Sequence, residues 1–543
     1  MSQIEETDIV IVGAGAAGSV VAGRLSETPG LKVTVIEAGR DDLHPFIHIP
    51  AGFIKMIFNQ NYIWPFKTEP AANTRDREIN VLQGRVVGGS GSLNGLIYNR
   101  GQPGDFDGWA QMGNRGWDYA SVLPYFRRSE TFDGAGDPEA RGKDGPLQIS
   151  ELKWKHEICE AFLQGAGELG LPRTRDYNGG DQEGVGYFQR IIRGRRRISS
   201  ARAYLKPALR RDNLRLVTRA VVAKILFEGR RAVGVEYIAD EGRGERRVIR
   251  ARRQVVLCSG TVNTPRLLQL SGIGLPDDLA AIGVPVLHDL PGVGRNLRDH
   301  YSVRVVARAR NSVTINELAR PPRLWGHQLR WLFNRPSIIT LSPSLVHIFA
   351  RSREGLDAPD LQGVFSPASY KAGFVSMLDD YPGLTCGFWA HKPQSTGHVR
   401  ALSQDPMALP LVQPNYLSAQ EDTDTLVRGI KLARRLIQTG PMARFFDHEQ
   451  LPGKDVQRDD ELEGFARQYG VSSWHLIGTA RMGPATDPGA VVDDRLRVHG
   501  IEGLRVVDAS VMPTSPSANT FAATIMIAEK ASDMIASDLA GAS

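Results

Sequence analysis

The sequence predicts an α/β protein: a Rossmann-like dinucleotide-binding domain interleaved with an α+β domain built on an antiparallel sheet. Three observations carry this. Residues 8–39 read as strand, glycine turn, helix, strand and acid. From about Tyr301 the texture changes to short strand-like runs separated by amphipathic stretches. The C-terminal stretch then returns to compact strand-and-helix patterning. At 543 residues the chain is too long for one simple core, so two domains are expected.

The opening unit is the most specific. Asp8 to Val12 is a short β-branched apolar run, as in a buried strand. Gly13, Gly15 and Gly18 follow in G-x-G-x-x-G spacing, and a small-residue helix continues to Leu25. Gly13 permits a tight turn, Gly15 lets a pyrophosphate approach the backbone, and Gly18 lets the helix pack closely on the sheet. The helix N-terminus offers free N–H groups and partial positive charge to phosphates. A second strand, Lys32 to Ile36, ends at Glu37, whose carboxylate suits a ribose diol and disfavours a 2′-phosphate.

An irregular aromatic-containing region, 41–77, comes next, and then a glycine-rich loop from Gly84 to Tyr98, a second candidate cradle. Helices are expected over 155–169, over 196–209 with a stop near Pro207, and over 263–270 with Thr264-Pro265 at its start. Residues 214–237 read as paired strands with a turn at Glu228-Gly229-Arg230, and 248–257 as a further strand. In the second domain, 303–310, 361–365, 384–390 and 398–402 are strand candidates, Leu324 to Phe333 is amphipathic, and 421–440 is a helix. Residues 503–510 give a strand and 520–539 the last helix. This assigns 1–150, 200–300 and 468–543 to the dinucleotide domain, and 151–199 and 301–467 to the substrate domain.

Composition narrows the function classes. A net charge of +6 over this length is mild, and the arginine run at 190–197 reads as a solvated loop with some internal pairing. No zinc finger or aromatic-rich RNA motif accompanies it, so no nucleic-acid partner is expected. Three cysteines, far apart and outside any C-x-x-C, argue against a disulfide framework and a zinc site, and no metal is expected. The polar, acidic first seven residues and the lack of a long apolar run predict a cytoplasmic protein without an integral membrane segment. Peripheral membrane association is compatible with this, and the sequence is silent on oligomeric state.

Four motifs now stand together. They are the N-terminal unit, Gly84 to Tyr98, Gly260 to Gly274 (GTVNTPRLLQLSGIG), and the pair His475 to Gly483 (HLIGTARMG) with Ser517-Ala-Asn-Thr520. The chain resembles the glucose–methanol–choline (GMC) oxidoreductases, FAD-dependent alcohol oxidases and dehydrogenases, over nearly its whole length and most weakly from 310 to 400. The resemblance implies that Gly13, Gly15, Gly18 and Glu37 hold the ADP half of FAD. Arg85, Gly89, Asn94 and Leu96 would lie along the pyrophosphate and flavin, the Val222 backbone at adenine, and Asp508 and Thr520 near the ribityl chain and pyrimidine. His475 matches the family's catalytic histidine and Asn519 its partner. Some members attach FAD through a histidine just before the motif's asparagine; Leu93 stands there, so non-covalent FAD is expected.

Histidine titrates nearest neutrality, so His475 suits a base for an alcohol proton, and Asn519 can direct the same oxygen. Asn519 also sits where a helix N-cap would, and Trp474 is placed to wall the pocket. Ser473 and Val471 sit where small side chains govern oxygen access. The implied reaction converts a primary alcohol to the aldehyde, with O2 or a diffusible acceptor as oxidant. Cyanohydrin-cleaving lyases and flavin photodecarboxylases are the alternatives within the resemblance. Trp325, Trp331, Phe333, Phe365, Phe374, Phe388 and Trp389 in the variable region favour an apolar or aromatic alcohol over a sugar. No carboxylate is identifiable that would hold choline's ammonium.

Overall fold

The computed structural model describes residues 5–371 and 377–541; Phe374 of the aromatic set lies outside the described residues. The first sheet has seven strands. Its spatial order is Leu214–Val217, Val33–Ile36, Glu5–Val12, Arg246–Leu257, Arg231–Ile238 and Val221–Glu228, with Leu504–Val506 also paired to Arg246–Leu257. The strands around Glu5–Val12 run parallel, and the Val221–Ile238 hairpin continues the sheet antiparallel. Arg246–Leu257 serves both parts. Its first half pairs with the hairpin, and Val255 to Leu257 pair with Leu504 to Val506 from the far end of the chain. The hairpin turn falls at Gly229, as expected. Leu214–Val217 does not join that hairpin, however; it pairs parallel with Val33–Ile36. Two successive β-branched runs carry no signal for which neighbour each selects.

The helix Ala16–Leu25 follows the glycine turn, and its N-cap Gly15 has no side-chain cap. It packs on the last helix, Thr520–Gly541, which is buried from Phe521 to Ser532. Two proline positions differ from expectation. The helix expected at 263 begins at Gly260 and runs to Leu270 with Pro265 inside it. The segment 196–209 opens as a strand pair (Ile192–Arg193 with Arg196–Arg197), becomes helical only from Ala201, and continues through Pro207 to Ala208. Pro265 is the sixth residue of its helix and Pro207 the seventh of the continuous run from Ala201, so each gives up an interior backbone hydrogen bond while buried neighbours hold the helix across it; a proline in the sequence need not mark an end.

The second sheet is antiparallel throughout. Its order is Phe446–Leu451, Tyr301–Ala309, Gly383–Ala390, Leu361–Ser366, Val346–Ala350 and Gly184–Tyr187, with Val471–Ser472 against the start of Tyr301–Ala309. Side chains alternate across it. Val303, Val305, Leu361, Phe365, Leu384, Cys386 and Phe388 pack with Leu426, Ile430 and Ala433 of the helix Gln420–Ile437. The opposite face presents Ser302, Arg304, Val364, Gly387 and Trp389 to a cavity. His398–Arg400 lies outside this sheet, in a two-stranded ribbon with Leu411–Gln413.

This alternation corrects the aromatic reading. Phe365 and Phe388 belong to the helix-covered core, and Trp325 and Phe333 lie at the surface, 60% and 75% exposed. Trp331 packs outside the cavity, with Nε1 donating to the Arg195 carbonyl at 2.8 Å. Trp389 alone of the described set lines the cavity. A composition count cannot tell which face of a strand a residue occupies. Among the described residues no helix is long and apolar enough to cross a membrane, no cluster suits a metal ion, and the three cysteines are buried and free.

Candidate active site

A cavity of about 340 Å³ reaches from the glycine turn to the second sheet. At one end stand Gly13, Gly15, Glu37 and Val222; Gly89, Asn94, Asp508 and Thr520 line the middle; Trp474, His475 and Asn519 line the far end. The structure thus gathers eleven of the fourteen site residues expected from sequence. Gly18, Arg85 and Leu96 do not line it.

Each exception has a physical reason. A Cβ on Gly18 would lie 1.9 Å from the Gly13 carbonyl oxygen, so its work is packing the helix on its own turn. Leu96 is fully buried in the first core at a φ of 69°, and its carbonyl accepts from Ile191 N. Arg85 stacks on Trp64 at 4.5 Å and donates to the Glu241 carbonyl, one layer behind the wall. Val471 also stays outside, whereas Ser473 lines the cavity.

The dinucleotide end is a backbone surface. Gly89 has a φ of 54°, and a Cβ there would come within 2.8 Å of Gly15 Cα. Two glycine loops thus face each other at a spacing side chains would fill, beside the uncapped first turn of a helix. That is the shape and polarity a pyrophosphate requires, and the residues fit the ADP half of FAD. Glu37 accepts from Ala14 N at 2.8 Å and Gly39 N at 2.7 Å. Burial pushes its carboxyl up to about 7, against the pull of those amides and of Arg85. Asp508 is committed differently: it accepts from Gly260 N, Thr264 Oγ1 and Ser510 N, at 2.7–2.9 Å, and so pins the Gly260–Leu270 helix to the cavity wall. Asn94 Oδ1 accepts from the buried Arg197 at 2.6 Å, which stiffens the second glycine loop.

The far end is built from side chains. His475 Nε2 is 2.9 Å from Asn519 Nδ2, and His475 Nδ1 is 3.0 Å from His300 Nδ1. Gln362 Nε2 donates to Asn519 Oδ1 at 3.1 Å, and His300 Nε2 lies 2.8 Å from the His391 carbonyl oxygen. These contacts fix the protons. A carbonyl only accepts, so His300 Nε2 carries hydrogen. Burial pushes His300 down to about 4, so at neutral pH its Nδ1 is a lone pair. His475 Nδ1 must then donate to it, and His475 Nε2 is left as an acceptor. Burial, then His300, hold His475 well below its ordinary 6.5. The result is a neutral imidazole with its basic nitrogen in the cavity, beside an amide N–H. Both ends of the Asn519 amide, at the start of the helix from Thr520, are engaged this way.

The backbone beneath is held as firmly. Asp299 accepts from His475 N at 2.7 Å, Ser472 Oγ at 2.5 Å and Tyr416 Oη at 2.5 Å. Trp474 takes a left-handed φ of 62°, donates its N–H to Ser472 Oγ, and anchors its indole on the Asn80 carbonyl at 2.9 Å. A left-handed non-glycine residue stores strain that its surroundings must hold. His300, Gln362 and Asp299 escaped sequence reasoning. Asp299-His300 was visible as a dipeptide after Arg295-Asn296, but nothing marked it as adjacent to His475, 175 residues on.

The GMC oxidoreductase N-terminal profile matches residues 7–302 and the C-terminal profile 393–528. Mouse (Mus musculus) mitochondrial choline dehydrogenase is 40% identical over 549 residues, covering 98% of this chain and 89% of that protein. An oxygen-dependent choline dehydrogenase of Chromohalobacter salexigens is 38% identical, covering 98% and 96%. The crystal structure of pyridoxine 4-oxidase from Mesorbium loti superposes with a TM-score of 0.87 at 32% identity, covering 97% of this chain and 98% of that one. The chain belongs to the GMC oxidoreductase family: it is an FAD-binding oxidoreductase acting on CH–OH groups.

Proposed function

We propose that the enzyme oxidises a primary alcohol to the aldehyde, with His475 as the base and Asn519 as the group that directs the substrate oxygen. The observation that carries this is the proton assignment at the far end of the cavity, which leaves His475 Nε2 a neutral, basic acceptor facing the cavity, where its hydrogen bond from Asn519 Nδ2 is the contact an alcohol oxygen would replace. An alcohol oxygen set against both atoms gives its proton to His475 and accepts a hydrogen bond from Asn519. That fixes the direction of the carbinol C–H bond. Bound FAD supplies the hydride acceptor. The proton on His475 is shared with a hydrogen-bonded chain ending at the His391 carbonyl, while Gln362 keeps the Asn519 amide in the donating orientation. O2 or another diffusible acceptor closes the cycle. Gly13, Gly15, Glu37, Gly89 and Val222 hold the ADP end. Leu93 lines the cavity where some relatives in the family use a histidine, and an aliphatic side chain offers no atom for a covalent link, so the cofactor is dissociable.

The test is anaerobic mixing of the purified flavoprotein with a panel of primary alcohols, followed by admission of air. Bleaching of the flavin by an alcohol, with aldehyde formed, is the expected result. Aldehyde release from a cyanohydrin without bleaching, and no bleaching by any alcohol, would overturn the proposal. Acid precipitation is expected to release all the flavin into the supernatant.

A further inference from the structure

The helix Arg323–Leu332 buries none of its residues. Its inner stripe is tied down: Leu324 packs at the edge of the second core, and the Trp331 indole bonds to the Arg195 carbonyl. Its outer stripe is Trp325, Leu329 and Leu332, continued by Phe333 just past the helix end, at i, i+4, i+7 and i+8. These four side chains are between 50% and 75% exposed. The apolar surface extends beyond the helix. The turn Ile338–Thr340 packs against Pro50–Gly52, while the turn between Arg193 and Arg196 meets the Leu332 carbonyl through Arg195 and lies beside Pro45–His48. On that side Leu43, Phe46 and Ile54 are exposed. The short helix Phe53–Met56 separates this surface from the cavity, since Phe53 and Ile57 line the cavity and Ile54 does not.

The charge around this surface has one sign. From Leu318 to Thr340 the chain carries Arg320, Arg323, Arg330 and Arg335 and no acid. Arg320 and Arg323 are each 3.7 Å from a carboxylate, of Asp380 and Glu317. Arg330 and Arg193 donate instead to carbonyls, of Pro336 at 2.9 Å and Pro146 at 3.1 Å, which leaves their charge uncancelled. Arg335 and Arg196 are exposed beside them. The acids next to Leu43 are committed elsewhere, Asp41 to Lys206 and Asp42 to Arg202.

We infer that this face docks on an anionic lipid bilayer. Trp325, Leu329, Leu332 and Phe333 enter the boundary between headgroups and acyl chains, and Arg193, Arg196, Arg330 and Arg335 meet lipid phosphates. An outward stripe of tryptophan, leucine and phenylalanine flanked by arginines is the pattern of a helix that lies in a membrane interface. Charge complementarity selects this occupant. A second copy of the chain would set arginine against arginine with no acid on the face to answer them, whereas an anionic leaflet attracts each of them. The cavity wall at Phe53 and Ile57 then lies directly behind the docked surface.

The experiment is co-sedimentation of the flavin-loaded enzyme with vesicles of phosphatidylcholine alone and of phosphatidylcholine mixed with phosphatidylglycerol. The expected affinity for the mixed vesicles exceeds that for the neutral ones by about tenfold or more and falls as salt is raised. The double variant Trp325→Ser, Phe333→Ser is expected to lose about tenfold or more in binding to the mixed vesicles. The double variant Arg330→Glu, Arg335→Glu is expected to bind both vesicle types equally weakly. All four positions are exposed, so flavin absorbance and the thermal unfolding midpoint should match the wild type and exclude misfolding as the cause. Failure of the wild type to sediment with the mixed vesicles, equal affinity for both vesicle types, or binding unchanged in either double variant overturns the inference. A wild-type dimer that the Trp325→Ser, Phe333→Ser variant converts to monomer, seen by sedimentation equilibrium without lipid, also overturns it, since a second copy would then cover the face. The outcome is independent of which substrate the enzyme oxidises.

Discussion

The two ends of the cavity are made in opposite ways. The dinucleotide end is mostly backbone: two glycine loops, an uncapped helix turn and one carboxylate, largely from residues 13–37 and 84–94. The end around His475 is side chain on side chain, and its four contributors, at 300, 362, 475 and 519, come from four separate segments. Backbone recognition tolerates little change in volume but does not depend on protonation. A chain of imidazoles and amides tolerates changes in volume better, but fails when one donor or acceptor is lost. The first end should break by steric insertion and the second by single-atom deletions.

The largest effect is expected from Gly89→Val. Valine disfavours a φ of 54°, and its Cβ would sit 2.8 Å from Gly15 Cα, so the protein should purify without flavin, read from its visible absorbance. His475→Ala should retain flavin but lose roughly 10²–10⁴-fold in the rate of anaerobic flavin reduction. The contrast between these two variants, one colourless and one coloured but slow, is the sharpest check on the division of labour.

His300→Ala comes next, with about a 10–100-fold loss in kcat, because the buried His475 N–H left unpaired costs about 1–3 kcal/mol and the tautomer is no longer fixed. Its pH profile carries the sign. A base works above its pKa, so kcat/KM falls as pH drops through that value. Because His475 is held well below 6.5, the wild-type acid limb should lie below pH 6.5. Removing His300 removes one of the two lowering causes, so the limb should move up in the variant. A wild-type limb above 6.5 would contradict the assignment of the neutral base. Gln362→Leu should show the smallest loss, about 3–10-fold, since one hydrogen bond of about 0.5–1.5 kcal/mol orients the Asn519 amide. Equal losses in Gln362→Leu and His475→Ala would mean that the glutamine does more than orient.

Much of the backbone end was legible before the structure. Gly13, Gly15 and Glu37 fall within one βαβ unit, where local spacing fixes the geometry. Gly18 keeps its packing role, with a Cβ there 1.9 Å from its own turn, but it does not line the cavity as the cofactor reading expected. Local reading failed where the partner was remote. Leu214–Val217 chose the N-terminal sheet over the hairpin beside it, Leu96 turned into the core instead of the cavity, and the aromatics of the variable region divided between core, surface and chamber. At the far end the motifs singled out His475 and Asn519, which the structure brings within 2.9 Å of each other, but not His300, Gln362 or Asp299.

The sequence by itself determined the dinucleotide cradle, the two-part architecture and the pair His475 and Asn519, whose side chains meet at the far end of the cavity. These rest on short-range spacing, which one chain segment encodes completely. Only the tertiary structure decided how His475 is protonated, because that depends on three groups brought to it from other strands. It alone placed Arg304 opposite Gly387 on the chamber face, since which face a strand residue takes is set by the register of the whole sheet.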